Sequence, residues 1–152
     1  MLIDQYGRRQ VGYSQYHYNG EYGLPLTIIG AKTGGKNPFA WIWIGFVALY
    51  RMSASYPKYL VLEYGIDHPG EMDFLLSIAR PDIAILTPIE PNHIEQFGNV
   101  GAYRLEKLKI LNTTKNRIVH ESLRESITQS VIYYGLGARA DVDASDIQIT
   151  LE

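Results

Sequence analysis

The chain has 152 residues, 46% of them apolar and 20% charged, which suffices for a folded domain with a real core and is too apolar for disorder. A net charge of −2 gives no electrostatic reason for nucleic acid as a partner, and the absence of cysteine excludes disulfides and thiolate metal sites. The opening Met1-Leu2-Ile3-Asp4-Gln5 lacks the basic and apolar regions of a signal peptide, which with the missing cysteines suits a cytoplasmic protein.

Residues 1–18 are polar and tyrosine-rich, with no clear period. Leu24–Ile29 follows a Gly20-Glu21-Tyr22-Gly23 turn and reads as a short helix or a strand, with Pro25 weakening either choice. Gly30 to Asn37 is a glycine- and lysine-rich loop with the G-x-x-x-x-G-K spacing of a phosphate loop, which makes Lys36 a candidate cofactor-binding residue. The pattern then demands Ser or Thr, but Asn37 stands there and Pro38 removes a backbone donor. A flexible turn is the favoured reading. Pro38 to Tyr50 is apolar throughout and shorter than the roughly 20 residues that span a bilayer. The spacing predicts a helix buried against a sheet; the sharper alternative exposes Trp41, Trp43 and Phe46 to a membrane surface or a partner.

Tyr59-Leu60-Val61-Leu62-Glu63 reads as a buried strand ending in a carboxylate. Asp67 and His68 start a helix in which Met72, Leu75, Leu76 and Ala79 recur at helical spacing. Pro81-Asp82 breaks it. Ile83–Thr87 is a second apolar strand, and His93 lies just past its end. Strand, helix, strand of this length predicts a right-handed parallel crossover in one sheet, so Glu63 and the loop from Thr87 to His93 emerge at one edge. Ligands of open α/β sheets bind at that edge, and a carboxylate with an imidazole there could hold a metal or handle a proton. Downstream, Asn99 is a candidate N-cap for a helix through Leu111, with Tyr103, Leu108 and Leu111 on one face. Arg117–His120 is a short strand, Glu121–Gln129 a weaker helix, and Val131–Tyr134 a strand that Gly135 ends. Val142–Leu151 alternates and reads as a terminal edge strand, antiparallel to its neighbour. The fold class is α/β, with a mostly parallel sheet flanked by helices, in one domain.

At Glu63-Tyr64-Gly65-Ile66-Asp67-His68-Pro69-Gly70-Glu71 and His93-Ile94-Glu95-Gln96-Phe97-Gly98 the sequence resembles the central domain of the Mur ligase family. That family has a strand ending E-[LM]-G, an H-P-G-E helix start, a second strand, and H-L-E-x-F-G with a lysine about fourteen residues beyond the histidine. The matching lysine is Lys107. Upstream, Asn19-Gly20-Glu21-Tyr22-Gly23-Leu24-Pro25-Leu26-Thr27 is similar to the family's N-N-E-I-G-L-P-L-T, and the likeness runs from about Tyr18 to Leu151. The resemblance implies an ATP-dependent amide ligase acting on a peptidoglycan precursor through an acyl phosphate. It implies magnesium held by Glu63 and His93, a carbamylated Lys107 (with Lys109 as competitor), and Asn19 near the nucleotide or a UDP-muramoyl-peptide-like substrate.

The sequence departs from the family in several places. The family's phosphate loop and C-terminal ligase domain have no counterpart here. Gly20 replaces the second asparagine of its N-N pair, Pro88 an asparagine, and His120-Glu121-Ser122-Leu123 an N-A-D-D. The expectation is a partial central domain over residues 1–152, truncated at its N-terminus and completed by a second polypeptide or by further sequence. Two rivals stand beside it: a non-catalytic remnant that binds a partner through the Phe39–Tyr50 helix, and a nucleotide-binding module using the loop from residue 30 to 37.

Overall fold

A computed structural model describes residues 2–7, 10–14, 16–90, 94–137 and 139–143. They form two compact units, Met1–Asp67 and His68–Glu152.

The first unit runs α1 (Leu2–Tyr6), β1 (Val11–Tyr13), α2 (Gly23–Ile29), α3 (Pro38–Ser53) and β2 (Tyr59–Val61). The tyrosine-rich start, which shows no clear period in sequence, holds a short helix and a strand. β1 and β2 pair in parallel, Val11 opposite Tyr59 and Tyr13 opposite Val61. Among the described residues its buried apolar side chains are Val11, Leu24, Leu26 and Ile66. The choice at Leu24–Ile29 resolves to helix, because Pro25 falls in the first turn, where the missing N–H costs nothing. Gly30 ends it in the left-handed region at φ 69°, and its N–H bonds back to Leu26 and Thr27.

α3 is a helix as expected, started by Pro38 and capped by Asn37, whose side-chain oxygen accepts from Phe39 N–H (3.0 Å) and Ala40 N–H (3.4 Å). Its expected burial is not found: no residue of α3 is buried. Ala40, Ile44, Val47, Ala48 and Arg51 form a half-buried stripe at helical spacing, and Arg51 Nε donates to the Ile29 carbonyl at 3.2 Å. α3 contacts α2, and the Arg51 end of that stripe is the part that reaches it. The two three-residue strands of this unit offer too little sheet to cover the rest of a 16-residue helix.

The second unit runs α4 (Glu71–Ile78), β3 (Ile83–Leu86), α5 (Ile94–Phe97), α6 (Val100–Leu108), a 3₁₀ turn (Lys109–Asn112), β4 (Asn116–His120), a second 3₁₀ turn (Glu121–Ser126), β5 (Ile132–Gly135) and β6 (Val142–Asp143). Its strands form one sheet in the order β3-β4-β5-β6, and every pair is parallel. Met72, Leu75 and Leu76 of α4 are buried as their spacing predicts, together with Ala84, Leu86, Tyr103, Ile110, Leu111 and Val119. Phe97 and Tyr103 meet edge to face at 5.1 Å.

Several expectations change here. β2 pairs with β1 and β3 with β4, so the predicted crossover does not join neighbouring strands of one sheet; an apolar run marks a strand without choosing its partner. The helix capped by Asn99, whose Oδ1 accepts Ala102 N–H at 2.8 Å, tightens to 3₁₀ after Leu108. Glu121–Gln129 is 3₁₀ rather than α over its first six residues. β6 is parallel to β5, Tyr134 opposite Val142, where an antiparallel strand was expected. Asp141 fixes that direction: its carboxylate accepts Tyr133 N–H at 2.7 Å and its own N–H donates to Tyr133 O at 2.8 Å. The remainder of the predicted terminal strand lies outside the described residues.

Candidate functional site

The carboxyl end of β2 brings two of the expected residues together. Glu63 follows the strand by two residues and is exposed. Asn19 lies in the segment leading to α2, and its Nδ2 donates to Glu63 Oε1 at 3.0 Å. Gly65 N–H donates to the Asn19 carbonyl at 2.8 Å, so one asparagine is bound at both its backbone and its amide. Glycine is required at 65: a Cβ there would stand 2.6 Å from Asn19 Cγ. Gly23 meets the same demand upstream, where a Cβ would lie 2.7 Å from the Tyr18 backbone. Two glycines thus let the Asn19 segment pack closely enough to meet Glu63. His17, two residues before Asn19, sits at φ 53° in the left-handed region, a conformation uncommon outside glycine.

The chemistry of this pair suits a hard cation. Magnesium takes one or two carboxylates and fills its remaining positions with water and substrate phosphate. An exposed carboxylate, oriented through one oxygen by a neutral amide, meets that need. His93 lies outside the described residues. Among the described residues no group of three or more His, Asp or Glu side chains could enclose a metal.

Lys107 and Lys109 part company. Lys107 is half-buried with Nζ 5.3 Å from the Tyr103 ring centroid, over a face that attracts cations. Lys109 is committed elsewhere, its Nζ 2.5 Å from Asp73 Oδ2 and 2.9 Å from Glu106 Oε2. The hydrogen bonds its ammonium donates to Asp73 and then Glu106 raise its pKa above the ordinary lysine value. Glu106 itself went unnoticed in the sequence. It is buried, and its Oε1 accepts Gly70 N–H (3.0 Å) and Met72 N–H (3.2 Å), satisfying the orphan donors of α4 from another helix. The signal was faint: a glutamate three residues ahead of a lysine, and a glycine opening a helix. The cap position of α4 is Gly70 at φ 90°, three residues beyond Asp67. His68 does belong to the helix start, its N–H donating to Glu71 Oε2 at 2.9 Å.

The loop from Gly30 to Asn37 spends its amides on protein acceptors. Thr33 N–H reaches Tyr18 Oη (3.2 Å), Gly35 N–H reaches Thr33 Oγ1 (3.2 Å), and Asn37 N–H reaches Gly34 O (3.0 Å). The Asn37 side chain takes the next two donors, as the cap of α3. These are the geometries of a turn, and Lys36 stands exposed on it. Beside the loop, a cavity of about 200 Å³ is lined by Tyr13, Tyr16, Tyr18, Leu26, Thr27 and Lys32. Lys32 Nζ lies over the Tyr16 ring at 5.0 Å, and hydrogen bonding to Tyr16 raises its pKa.

Comparison with known proteins bears on these residues. Residues 45–152 match the family described as Mur ligase middle domain. The UDP-N-acetylmuramoyl-tripeptide--D-alanyl-D-alanine ligase of Bacillus subtilis is 25% identical over 137 residues, which is 86% of this chain and 25% of that enzyme. The enzyme of the same name from Borreliella burgdorferi is 41% identical over 54 residues, 36% of this chain and 12% of its own length. A crystal structure of MurF from Acinetobacter baumannii superposes with a TM-score of 0.66 at 20% identity, covering 97% of this chain and 29% of that one. The chain therefore spans less than a third of each of these proteins.

Proposed function

The chain belongs to the Mur ligase family, through its middle domain, and from that premise we propose that it forms the nucleotide-handling part of an ATP-dependent ligase acting on a peptidoglycan precursor. In the reaction proposed, a substrate carboxylate attacks the γ-phosphorus of ATP and ADP leaves. An amine then attacks the acyl phosphate; inorganic phosphate departs, and the amine loses a proton as the amide forms. The chain covers 25% of the Bacillus subtilis relative, so the proposal gives it one share of that work. The remainder falls to other sequence or to a second polypeptide. A UDP-muramoyl-peptide-like molecule is the substrate class, and a reaction that consumes ATP belongs in the cytoplasm.

The Asn19–Glu63 contact at the end of β2 carries this reading. Glu63 would hold magnesium, with Asn19 setting the carboxylate's direction and standing near the nucleotide. Magnesium, when bound, neutralises charge on the transferring phosphates. By motif position, His93 is proposed as a metal ligand and Lys107 as the family's carbamylated lysine.

Titration calorimetry of the chain with ATP and magnesium tests the reading. Binding is expected, weakened at least tenfold in Glu63→Gln, with circular dichroism unchanged. Equal affinity in the variant ends the metal assignment, and no binding to the wild-type chain ends the proposal that these residues handle nucleotide.

A further inference from the structure

α3 has two apolar faces, and among the described residues only one of them is even half-buried. The stripe of Ala40, Ile44, Val47, Ala48 and Arg51 is half-buried, and its Arg51 reaches α2. On the opposite side Phe39, Ile42, Trp43, Phe46, Leu49 and Tyr50 follow the same helical spacing, and all are exposed, Trp43 at 68% and Phe39 at 77%. Contiguous apolar faces of this size rarely stay bare on a monomer. The helix is also anchored at both ends, so this face is held outward. Trp41 Nε1 donates to Gly35 O at 3.0 Å at one end, and Arg51 and Tyr56 donate to the Ile29 and Ile28 carbonyls at the other.

Charge says what covers the face. From residue 22 to residue 62 there is no aspartate or glutamate, while Lys32, Lys36, Arg51 and Lys58 lie in that stretch. It carries four positive charges in a chain whose net charge is −2. Lys36 and Lys58 stand exposed just before and just after the helix in sequence, while Lys32 lies over the Tyr16 ring and Arg51 is turned to Ile29. Apolar and aromatic side chains followed and preceded by exposed lysines, in a stretch without an acid, complement an anionic lipid surface. The length agrees. Sixteen residues of helix reach about 24 Å, short of the roughly 30 Å hydrocarbon layer, so such a helix lies on a bilayer rather than across it. No helix among the described residues is long and apolar enough to cross a membrane.

We propose that α3 docks the protein onto the surface of a phospholipid bilayer bearing anionic headgroups. Phe39, Trp43, Phe46 and Tyr50 enter the interface, and Lys36 and Lys58 meet the headgroup phosphates. The inference stands on α3 and its flanks, independently of the ligase reading.

The test mixes the full chain with vesicles of phosphatidylcholine alone, or of phosphatidylcholine with phosphatidylglycerol. It follows co-sedimentation and tryptophan emission. Binding to the anionic vesicles is expected, with a blue shift and with weakening as salt rises. Trp43→Ser with Phe46→Ser is expected to cut partitioning at least tenfold while Trp41 still reports. Lys36→Glu with Lys58→Glu is expected to do the same with the apolar face intact. Both pairs are exposed, so unchanged circular dichroism is the control for folding. Failure of the wild-type chain to bind anionic vesicles at low salt overturns the proposal. So does equal binding by the apolar variant, or a lipid-free dimer that buries Trp43 and excludes vesicles.

Discussion

Glu106 is a buried carboxylate that accepts the N–H groups of Gly70 and Met72 where α4 begins and pairs its other oxygen with Lys109. Replacing it by alanine leaves two donors without an acceptor and strips Lys109 of a partner, so Glu106→Ala is expected to lose about 2 kcal/mol of unfolding free energy in urea titration. Glu106→Gln keeps an acceptor oxygen and is expected to lose less. Lys109 gives a pH signature. Asp73 and Glu106 hydrogen-bond its ammonium and raise its pKa in the folded state, so its contribution is complete below the free lysine value of about 10.4. It disappears as pH climbs through the raised value. The stability gap between the wild type and Lys109→Met is therefore expected to be constant from pH 7 to 9 and to narrow above about pH 10. A gap that persists unchanged into that range would show that packing of the lysine stem, not its charge, is what matters.

At the level of elements, α3 depends on its first turn. Asn37→Ala removes the acceptor for Phe39 and Ala40 N–H and is expected to cost about 1 kcal/mol, read as reduced helicity and a lower unfolding midpoint. Lys36→Ala, one residue earlier, is expected to leave both stability and magnesium-ATP binding unchanged, because the Thr33, Gly35 and Asn37 amides of its loop already have protein acceptors. Lost ATP binding in that variant would revive the phosphate-loop reading. These elements also mark how far the sequence could be read. α4 was legible because Met72, Leu75 and Leu76 repeat at helical spacing, and Asn99 was legible as a cap because it precedes an amphipathic run. β1 was not, because Val11-Gly12-Tyr13 is too short to show a period. α3 was legible as a helix and illegible in its surroundings: hydrophobicity states that a face wants cover without stating what supplies it. β3 teaches the same lesson, with Ala84 and Leu86 buried while Ile83 and Ile85 stay exposed. Glu63 and Asn19 were each visible as candidates, but their contact joins residues 44 apart in sequence and exists only once Gly65 and Gly23 permit the close approach. Glu106 was hidden because a charged residue on a helix reads by default as solvent-facing.

For the whole molecule, the proposed nucleotide site and stability are linked. A ligand that binds only the folded chain stabilises it by RT ln(1 + [L]/Kd), about 2.7 kcal/mol at a hundred times Kd. Magnesium-ATP at that excess is therefore expected to raise the unfolding midpoint of the wild-type chain, and to raise that of Glu63→Gln far less at the same concentration. The location of the effect matters as much as its size. Asn19 and Glu63 both lie in the unit Met1–Asp67, which has its own buried residues in Val11, Leu24, Leu26 and Ile66. Slowed amide exchange on adding ligand should therefore include the amide of Gly65, whose acceptor is the Asn19 carbonyl, and the β1–β2 pairing beside it. Protection confined to the unit His68–Glu152 would move nucleotide handling away from Glu63, toward the residues around Lys107. An equal rise in midpoint for both proteins would do the same, because a carboxylate that touches the cation cannot be neutralised without loss of affinity.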